Sequence, residues 1–311
     1  MQHVRDLAEV RLPASLLTIG SFDGVHRGHQ DLLGRMLGAA HGRGVPAVVL
    51  TFYPHPSVVL RGRKPAYYIT SPDEKADLLR KLGVDIVITQ TFDLDLSRVE
   101  APDFLDRLTA QLGFQDLWAG EDFALGHQRR GNRHYLTRAS AERGFRFHIV
   151  PPFLLEGEVV SSTRVREALR SGDVARAAGY LGRNFELPGT VKRGAGRGKQ
   201  LGIPTANLEV WEERAVPGNG VYACFAELEG ERMPAVVNIG MRPTFADNLN
   251  APVVEAHLLD FEGDLYDREL RLVFVARLRD ERKFSGPEPL IEQIGRDIQR
   301  ARELLGRVEP A

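Results

Sequence analysis

The sequence predicts an α/β protein in two parts, a parallel sheet covered by helices on both faces and then a small antiparallel β-barrel with a terminal helix. Three observations predict it. Up to Leu181, short apolar runs alternate with helical patterns, the signature of a parallel sheet wrapped in helices. From "LGRNFELPGTV" onward, Gly and Pro appear and strand-like alternation broken by turns takes over. The last stretch, "PEPLIEQIGRDIQRARELLG", is a single amphipathic helix.

The elements follow in order. "LLTIG" opens the sheet, and the helix predicted over 30–40 puts Leu32, Leu33, Met36, Leu37 and Ala40 on one side. "AVVLTF" is the next strand. "SPDEKADLLRKLG" predicts a helix over 72–82, with Ser71 as cap, Pro72 at the first helical position and Gly83 just past the end. "VDIVIT", a helix over 102–112, "DLWAG", a helix over 133–143 and "FRFHIV" complete the α/β part. The boundary falls near Arg183, giving domains 1–183 and 184–311. In the second, "GVYACFAELEG", "PAVVNIG", "VVEAHLLDF" and "LRLVFVARL" read as antiparallel strands, with "LEGER" and "FEGDL" as hairpin turns. Leu290, Ile294, Ile298 and Leu305 form the apolar stripe of the terminal helix, expected over the open end of the barrel.

Composition limits the function. Among 311 residues, 41 Lys and Arg nearly balance 42 Asp and Glu, so no global field exists to hold a nucleic acid or an anionic membrane at long range. Any polyanion contact is local. The one cysteine, Cys224, lies in an alternating run and reads as a buried strand thiol. No signal peptide or membrane-length apolar window is present, and a cytoplasmic protein is expected. The sequence favours no particular oligomeric state.

The turn "GSFDGVHRGH" sits after the first strand, where the crevice of a doubly wound sheet collects ligands. Gly20 and Gly24 permit close backbone approach or positive φ, and the following helix offers unpaired N–H groups. His26 and His29, three residues apart, lie on one side of that helix start. Two such donors suit a phosphate whose negative charge grows during reaction. A turn with incidental histidines is the bland alternative, and the position after the first strand favours the ligand site. "VVSSTRVREALRSG" adds a second element, in which Ser161, Ser162 and Thr163 open a helix ahead of Arg164 and Arg166. Hydroxyls, amides and guanidinium together hold phosphates; alone, the three hydroxyls read as helix caps, and the pairing with the first turn favours the phosphate site.

"GSFDGVHRGHQ", "TFYPHP", "GEDFALGHQRRGN" and "SSTRVREAL" resemble the adenylyltransferase module of the prokaryotic bifunctional riboflavin kinase and FAD synthetase family. That module is a Rossmann-like nucleotidyltransferase of the H-x-G-H superfamily. The resemblance implies that His26 and His29 steady the α-phosphate of ATP while the FMN phosphate attacks and pyrophosphate departs. It also implies nucleotide contacts from Gly20, Phe22, Asp23, Gly24 and Asn132, and a second signature in Ser161, Ser162, Thr163 and Arg164. Ala124 and Leu125 depart from the aromatic or basic residues usual there, so flavin contacts at those positions are not implied.

"VKRGAGRGKQLGIPTANLEV" is not a Walker A loop, since Gly198 and Lys199 precede Gln200 and Arg193 stands where the first glycine is required. It reads as a basic, glycine-rich flap beside a stiff "PTAN", with Thr205 and Asn207 on one face of an extended strand. A hydroxyl and an amide oxygen are hard ligands suited to Mg²⁺ on nucleotide phosphates; a turn with a polar cap is the plain alternative. Glu255 lies among Val253, His257 and Leu259 on one strand face, as an edge residue in water or a base held in a site.

"GIPTANL", "GVYA", "VVNIGMRPTF", "VEAHLLDF", "DLYD" and "LRDERKF" follow in the order found in riboflavin kinases. This resemblance implies that Thr205 and Asn207 hold Mg²⁺ and ATP, and that Glu255 takes the proton from the riboflavin 5′-hydroxyl. It implies that Lys192, Gly194, Gly196 and Lys199 belong to a flap over ADP. Asp267 stands where that family usually has glycine. The expected activity is phosphorylation of riboflavin to FMN and adenylylation of FMN to FAD, each with MgATP. Phe22, Phe52, Phe123, Phe245 and Phe284 are the candidate aromatics for the flavin. A non-catalytic flavin-binding regulator is a rival that the retained His26, His29, Thr205, Asn207 and Glu255 disfavour. Amino-acid activation for RNA is disfavoured by near-zero net charge and the lack of a KMSKS-like loop.

Overall fold

A computed structural model of the chain describes residues 2–62, 67–194, 202–242 and 251–307. By packing, the chain divides into two compact units, Met1–Ser162 and Thr163–Ala311.

The first unit is built on six parallel strands: β1 (Gln2–Val4), β2 (Ser15–Ile19), β3 (Ala47–Tyr53), β4 (Ile86–Thr91), β5 (Phe114–Gly120) and β6 (Arg146–Val150). Their order across the sheet is β1-β4-β3-β2-β5-β6. β2 therefore has β3 on one side and β5 on the other, and the strand order reverses there. Helices α1 (Arg27–His41), α2 (Pro56–Arg61), α3 (Pro72–Lys81), α4 (Leu94–Ser97), α5 (Ala101–Leu112) and α6 (Arg133–Arg143) connect them. Leu32, Leu33, Met36, Leu37 and Ala40 are the buried side of α1, as the apolar spacing requires. Ser71 and Glu74 form a reciprocal capping box at α3. One apolar cluster joins α5 and α6 to the sheet through Phe104, Leu108 and Leu136, and another joins α1 and α3 through Leu33, Met36 and Leu79.

Several elements escape the sequence pattern. β1 pairs with β4 as a sixth strand, too short for a periodic signal. α1 starts at Arg27 because His26 caps it. A small hairpin, β7 (Leu154–Leu155) with β8 (Glu158–Val159), precedes α7 (Ser162–Arg170) and α8 (Val174–Leu181).

In the second unit, β9 (Phe185–Lys192), β10 (Ala206–Glu209), β11 (Gly220–Leu228), β12 (Glu231–Arg242), β13 (Ala251–Leu258) and β14 (Glu269–Arg279) form a closed barrel ordered β10-β13-β12-β11-β14-β9. Every neighbouring pair is antiparallel. Tyr222, Cys224 and Ala226 point inward. α8 lies on the barrel with Ala177, Tyr180 and Leu181 buried, and the Gly218 N–H donates to Leu169 O at 2.8 Å. The packing unit thus begins ahead of the composition shift at Arg183, because α8 packs on β14 and β9, strands that follow it, and the Leu169 carbonyl at the end of α7 bonds to Gly218. The terminal helix, α9 (Pro287–Leu305), covers the outer faces of β11, β12 and β14 rather than an open end, through Val221, Ala223, Val236, Ala301 and Leu305. Its buried side centres on Asp297, Ala301 and Leu305, while Leu290 and Ile294 are only half-buried. An acid at the centre of a helix seam is invisible to an apolar pattern. Arg279 explains it, with three hydrogen bonds to the Asp297 carboxylate at 2.8–3.1 Å.

Candidate active sites

Between β2 and α1 the backbone is bent into the left-handed region at Phe22 (φ 48°), Gly24 (φ 80°) and Val25 (φ 42°). For Phe and Val such angles cost roughly 1–3 kcal/mol each, and surrounding contacts must impose them. Those contacts are present. The buried Asp23 carboxylate accepts from the backbone N–H of Ile69 at 3.0 Å and of Thr70 at 3.2 Å. The Gly24 N–H donates to Thr70 Oγ1 at 3.1 Å, and Ser162 Oγ donates to the Asp23 carbonyl at 2.9 Å. The Lys75 ammonium, on α3, donates to Ser21 O at 2.9 Å and to Thr51 Oγ1 at 2.8 Å. Phe22 is 2% exposed, and its ring lies 3.0 Å from where a side chain on Gly20 would begin. Asp23 and Phe22 therefore shape the turn from inside.

His26 Nδ1 accepts from the His29 N–H at 3.3 Å, capping α1. A neutral His26 ring then carries its proton on Nε2. The two imidazoles stack, with centroids 3.6 Å apart and planes at 19°, and Phe22 lies 4.9 Å from the His29 ring. His29 Nδ1 is enclosed without a hydrogen-bond partner among the described residues. Burial pushes the His29 pKa well below 6.5, and the charges on His26 and Lys75 add to the effect. His29 is thus a neutral ring at pH 7. The histidines share one side of a helix start, as their spacing predicts.

The start of the second signature comes to the same turn: Val160 O lies 3.4 Å from where a side chain on Gly28 would begin, and Ser162 reaches Asp23. Ser161 is half-buried beside it. Thr163 and Arg164 occupy the first turn of α7, exposed and half-buried respectively. Asn132 caps α6, its Oδ1 accepting from the Tyr135 N–H at 3.1 Å. It lines an open pocket of about 520 Å³ with Asp122, Phe123, Ala124, Arg129 and Arg133. β2 and β5 are neighbours, so this pocket after β5 and the histidine turn after β2 lie beyond adjacent carboxyl ends, where such sheets bind ligands. Leu125 is buried at 5% exposure and bridges to the Gly131 backbone, which makes it a core residue rather than a pocket contact.

On the barrel, strand register aligns a polar row. Lys192 pairs with Asn207, Asn207 with Glu255, and Glu255 with Asn238. Their strand neighbours Val254 and Ala256 are buried inside, so the row faces outward. Thr205 is exposed just before β10, and His257 Nδ1 donates to Pro204 O at 2.8 Å, fixing that approach. A Cβ on Gly194 would come within 2.1 Å of Asn207 Nδ2, so the glycine leaves room for the carboxamide. Lys192 pairs with Asp267 at 2.9 Å, and their hydrogen bond raises the lysine pKa and lowers that of the acid. Asp267 adopts φ 60°, a left-handed geometry in which glycine is easiest and Asp tolerated. Gly196, Lys199 and Phe245 lie outside the described residues. Phe284 lies beneath Arg279 and Arg282, with the latter 4.8 Å from its ring centroid.

The roles of three residues of these sites go unread in the sequence. Asn238 gains meaning only from strand pairing, and His257, legible as a neighbour of Glu255 on its strand face, gains its role only from the bond to Pro204. Lys75 had a usable signal: it shares a face with Ala76 and Leu79, and a lysine there breaks the apolar side of its helix.

The FAD synthetase family matches residues 9–164, and the riboflavin kinase family matches residues 181–305. A bifunctional riboflavin kinase/FMN adenylyltransferase of Pseudomonas fluorescens is 40% identical over 98% of this chain and 98% of the relative. The protein so described in Escherichia coli K12 is 36% identical, covering 99% and 98%, and that in Bacillus subtilis 34%, covering 96% and 95%. A crystal structure titled as a macrolide-efflux protein from Streptococcus pneumoniae superposes with TM-score 0.88 at 28% identity, over 96% of this chain and 98% of that one. Among the described residues no helix is long and apolar enough to cross a membrane. With both family patterns in sequence along a chain matched almost end to end, this protein belongs to the bifunctional riboflavin kinase/FMN adenylyltransferases, which phosphorylate riboflavin to FMN and adenylylate FMN to FAD.

Proposed function

We propose that the two reactions are divided between the two sites just described, adenylyl transfer at the stacked histidines and riboflavin phosphorylation along the Asn207–Glu255 row. The functional domains are 1–183 and 184–311, and the family matches at 9–164 and 181–305 support that division.

For adenylyl transfer, an FMN phosphate oxygen attacks the α-phosphorus of ATP and the bond to the β-phosphate oxygen breaks, releasing pyrophosphate. His26 and His29 donate to the α-phosphate as its charge grows, the neutral His29 ring doing so without a charge that must be desolvated. Gly20 and Gly24 let backbone amides approach, and the start of α1 adds its partial positive charge. Asn132 contacts the nucleotide, while Ser161, Ser162, Thr163 and Arg164 hold the departing phosphates. The observation that carries this reading is the 3.6 Å histidine stack at a helix start beyond the sheet's switch point.

For phosphorylation, Glu255 takes the proton of the riboflavin 5′-hydroxyl as that oxygen attacks the γ-phosphorus and ADP leaves. The register of Glu255 with Asn207 supports it. Thr205 and Asn207 offer a hydroxyl and a carboxamide oxygen, and among the described residues no set of three His, Cys, Asp or Glu side chains could cage a metal. That donor set fits Mg²⁺ arriving with ATP and keeping most of its waters. When bound, Mg²⁺ neutralises phosphate charge. Lys192 and Gly194 bring the basic stretch alongside, with Gly196 and Lys199 in its continuation. Dependence of both steps on ATP suits a cytoplasmic setting.

Incubation with riboflavin and MgATP, followed by chromatography, tests both steps. E255Q is expected to lower FMN formation about 10²- to 10⁴-fold while FAD still forms from supplied FMN. Loss of both steps in that folded variant would overturn the assignment.

A further inference from the structure

Lys75 is 6% exposed, on the inner side of α3. Burying an ammonium is costly, and a methionine would fill the same space without that penalty. Its hydrogen bonds are specific: Ser21 O at 2.9 Å, and Thr51 Oγ1 at 2.8 Å, whose own hydroxyl reaches Ser21 O at 3.0 Å. Ser21 directly precedes the left-handed Phe22. The ammonium therefore grips the carbonyl at the point where the turn leaves ordinary backbone geometry.

We propose that Lys75 is a positioning residue of the adenylyl-transfer site, holding the phosphate-binding turn through Ser21 and placing a fixed positive charge behind the His26–His29 pair. This rests on the reading that those histidines face ATP. The charged and titratable groups that face Lys75 are Asp23 from the turn, His29 from α1 and His3 from β1. Asp23 is held by the Ile69 and Thr70 amides. The buried cation disfavours a proton on His29, so the ring stays a neutral donor, and it attracts the polyphosphate over the helix start. Burial lowers its own pKa to about 8, with Asp23 opposing the shift. The grip on the turn weakens as pH rises through that value.

The full-length enzyme supplies its own control, since riboflavin phosphorylation reports on the barrel. FMN adenylylation is measured against pH for wild type, K75M, T51V and H29A, with the His29 ring followed by NMR. K75M is expected to lose about ten- to a hundredfold in kcat for adenylylation, with kinase parameters unchanged. It is also expected to lose the alkaline fall near pH 8, which simple loosening would not remove, and to show a raised His29 pKa. T51V keeps the lysine but removes an acceptor of its charged form, so the alkaline limb moves to lower pH. That limb unmoved in T51V, or wild-type behaviour of K75M beside an inactive H29A, overturns the proposal alone. An active H29A overturns the histidine reading on which it stands.

Discussion

His29 carries the strongest pH consequence at the scale of one residue. Its folded pKa lies well below 6.5 because the ring is buried against His26. In the unfolded chain it titrates near its ordinary value, so below 6.5 the unfolded state binds the extra proton first. The His29 contribution is therefore fully present above 6.5 and declines as pH falls toward the depressed folded value. Melting temperature between about pH 5 and 7 is expected to fall with acid in the wild type and less steeply in H29Q. Equal slopes would show that another group governs the acid limb. Asp23 marks a second lesson at this scale: within "GSFDG" its carboxylate accepts from the Ile69 and Thr70 amides, a task in shaping the turn that the local sequence does not announce.

Elements meet at two places where a single atom matters. Gly194 lies two residues past β9, and a methyl group there would collide with Asn207 at 2.1 Å. G194A is expected to displace the carboxamide and raise the kinase KM for MgATP about ten- to a hundredfold, leaving adenylylation of FMN untouched. Unchanged kinase kinetics would remove Asn207 from the nucleotide site. On α9, Asp297 is buried and takes Arg279 and Gln293. D297A leaves the Arg279 guanidinium, 19% exposed, without its partner. Denaturant unfolding of the barrel unit is expected to show a loss of about 3 kcal/mol, as for a broken buried pair. A loss within error would mean that water replaces the carboxylate.

The whole molecule joins two activities, and the FAD synthetase and riboflavin kinase matches occupy separate stretches of the chain, 9–164 and 181–305. A mixture of H29A and E255Q chains, each deficient in one step, is expected to make FAD from riboflavin and MgATP, with FMN passing through solution. FMN accumulation in H29A alone and no product in E255Q alone are the controls. Failure of the mixture, with both variants folded, would require FMN transfer within one chain.

By itself the sequence determined the fold class, because the periods of 3.6 and 2 read out which residues a helix or a strand can bury. The buried set of α1 matches its spacing residue for residue, and "GSFDGVHRGH" is legible since its glycines and histidines are local to one turn. Tertiary structure alone decided which distant residues meet at each candidate site. Lys75 and Ser162 meet the histidine turn across the sheet's connections, and Glu255 meets Asn207 and Asn238 only because the barrel closes in this register. Local periodicity encodes the face a side chain takes; its partner is chosen by strand order, register and packing, which no short stretch contains.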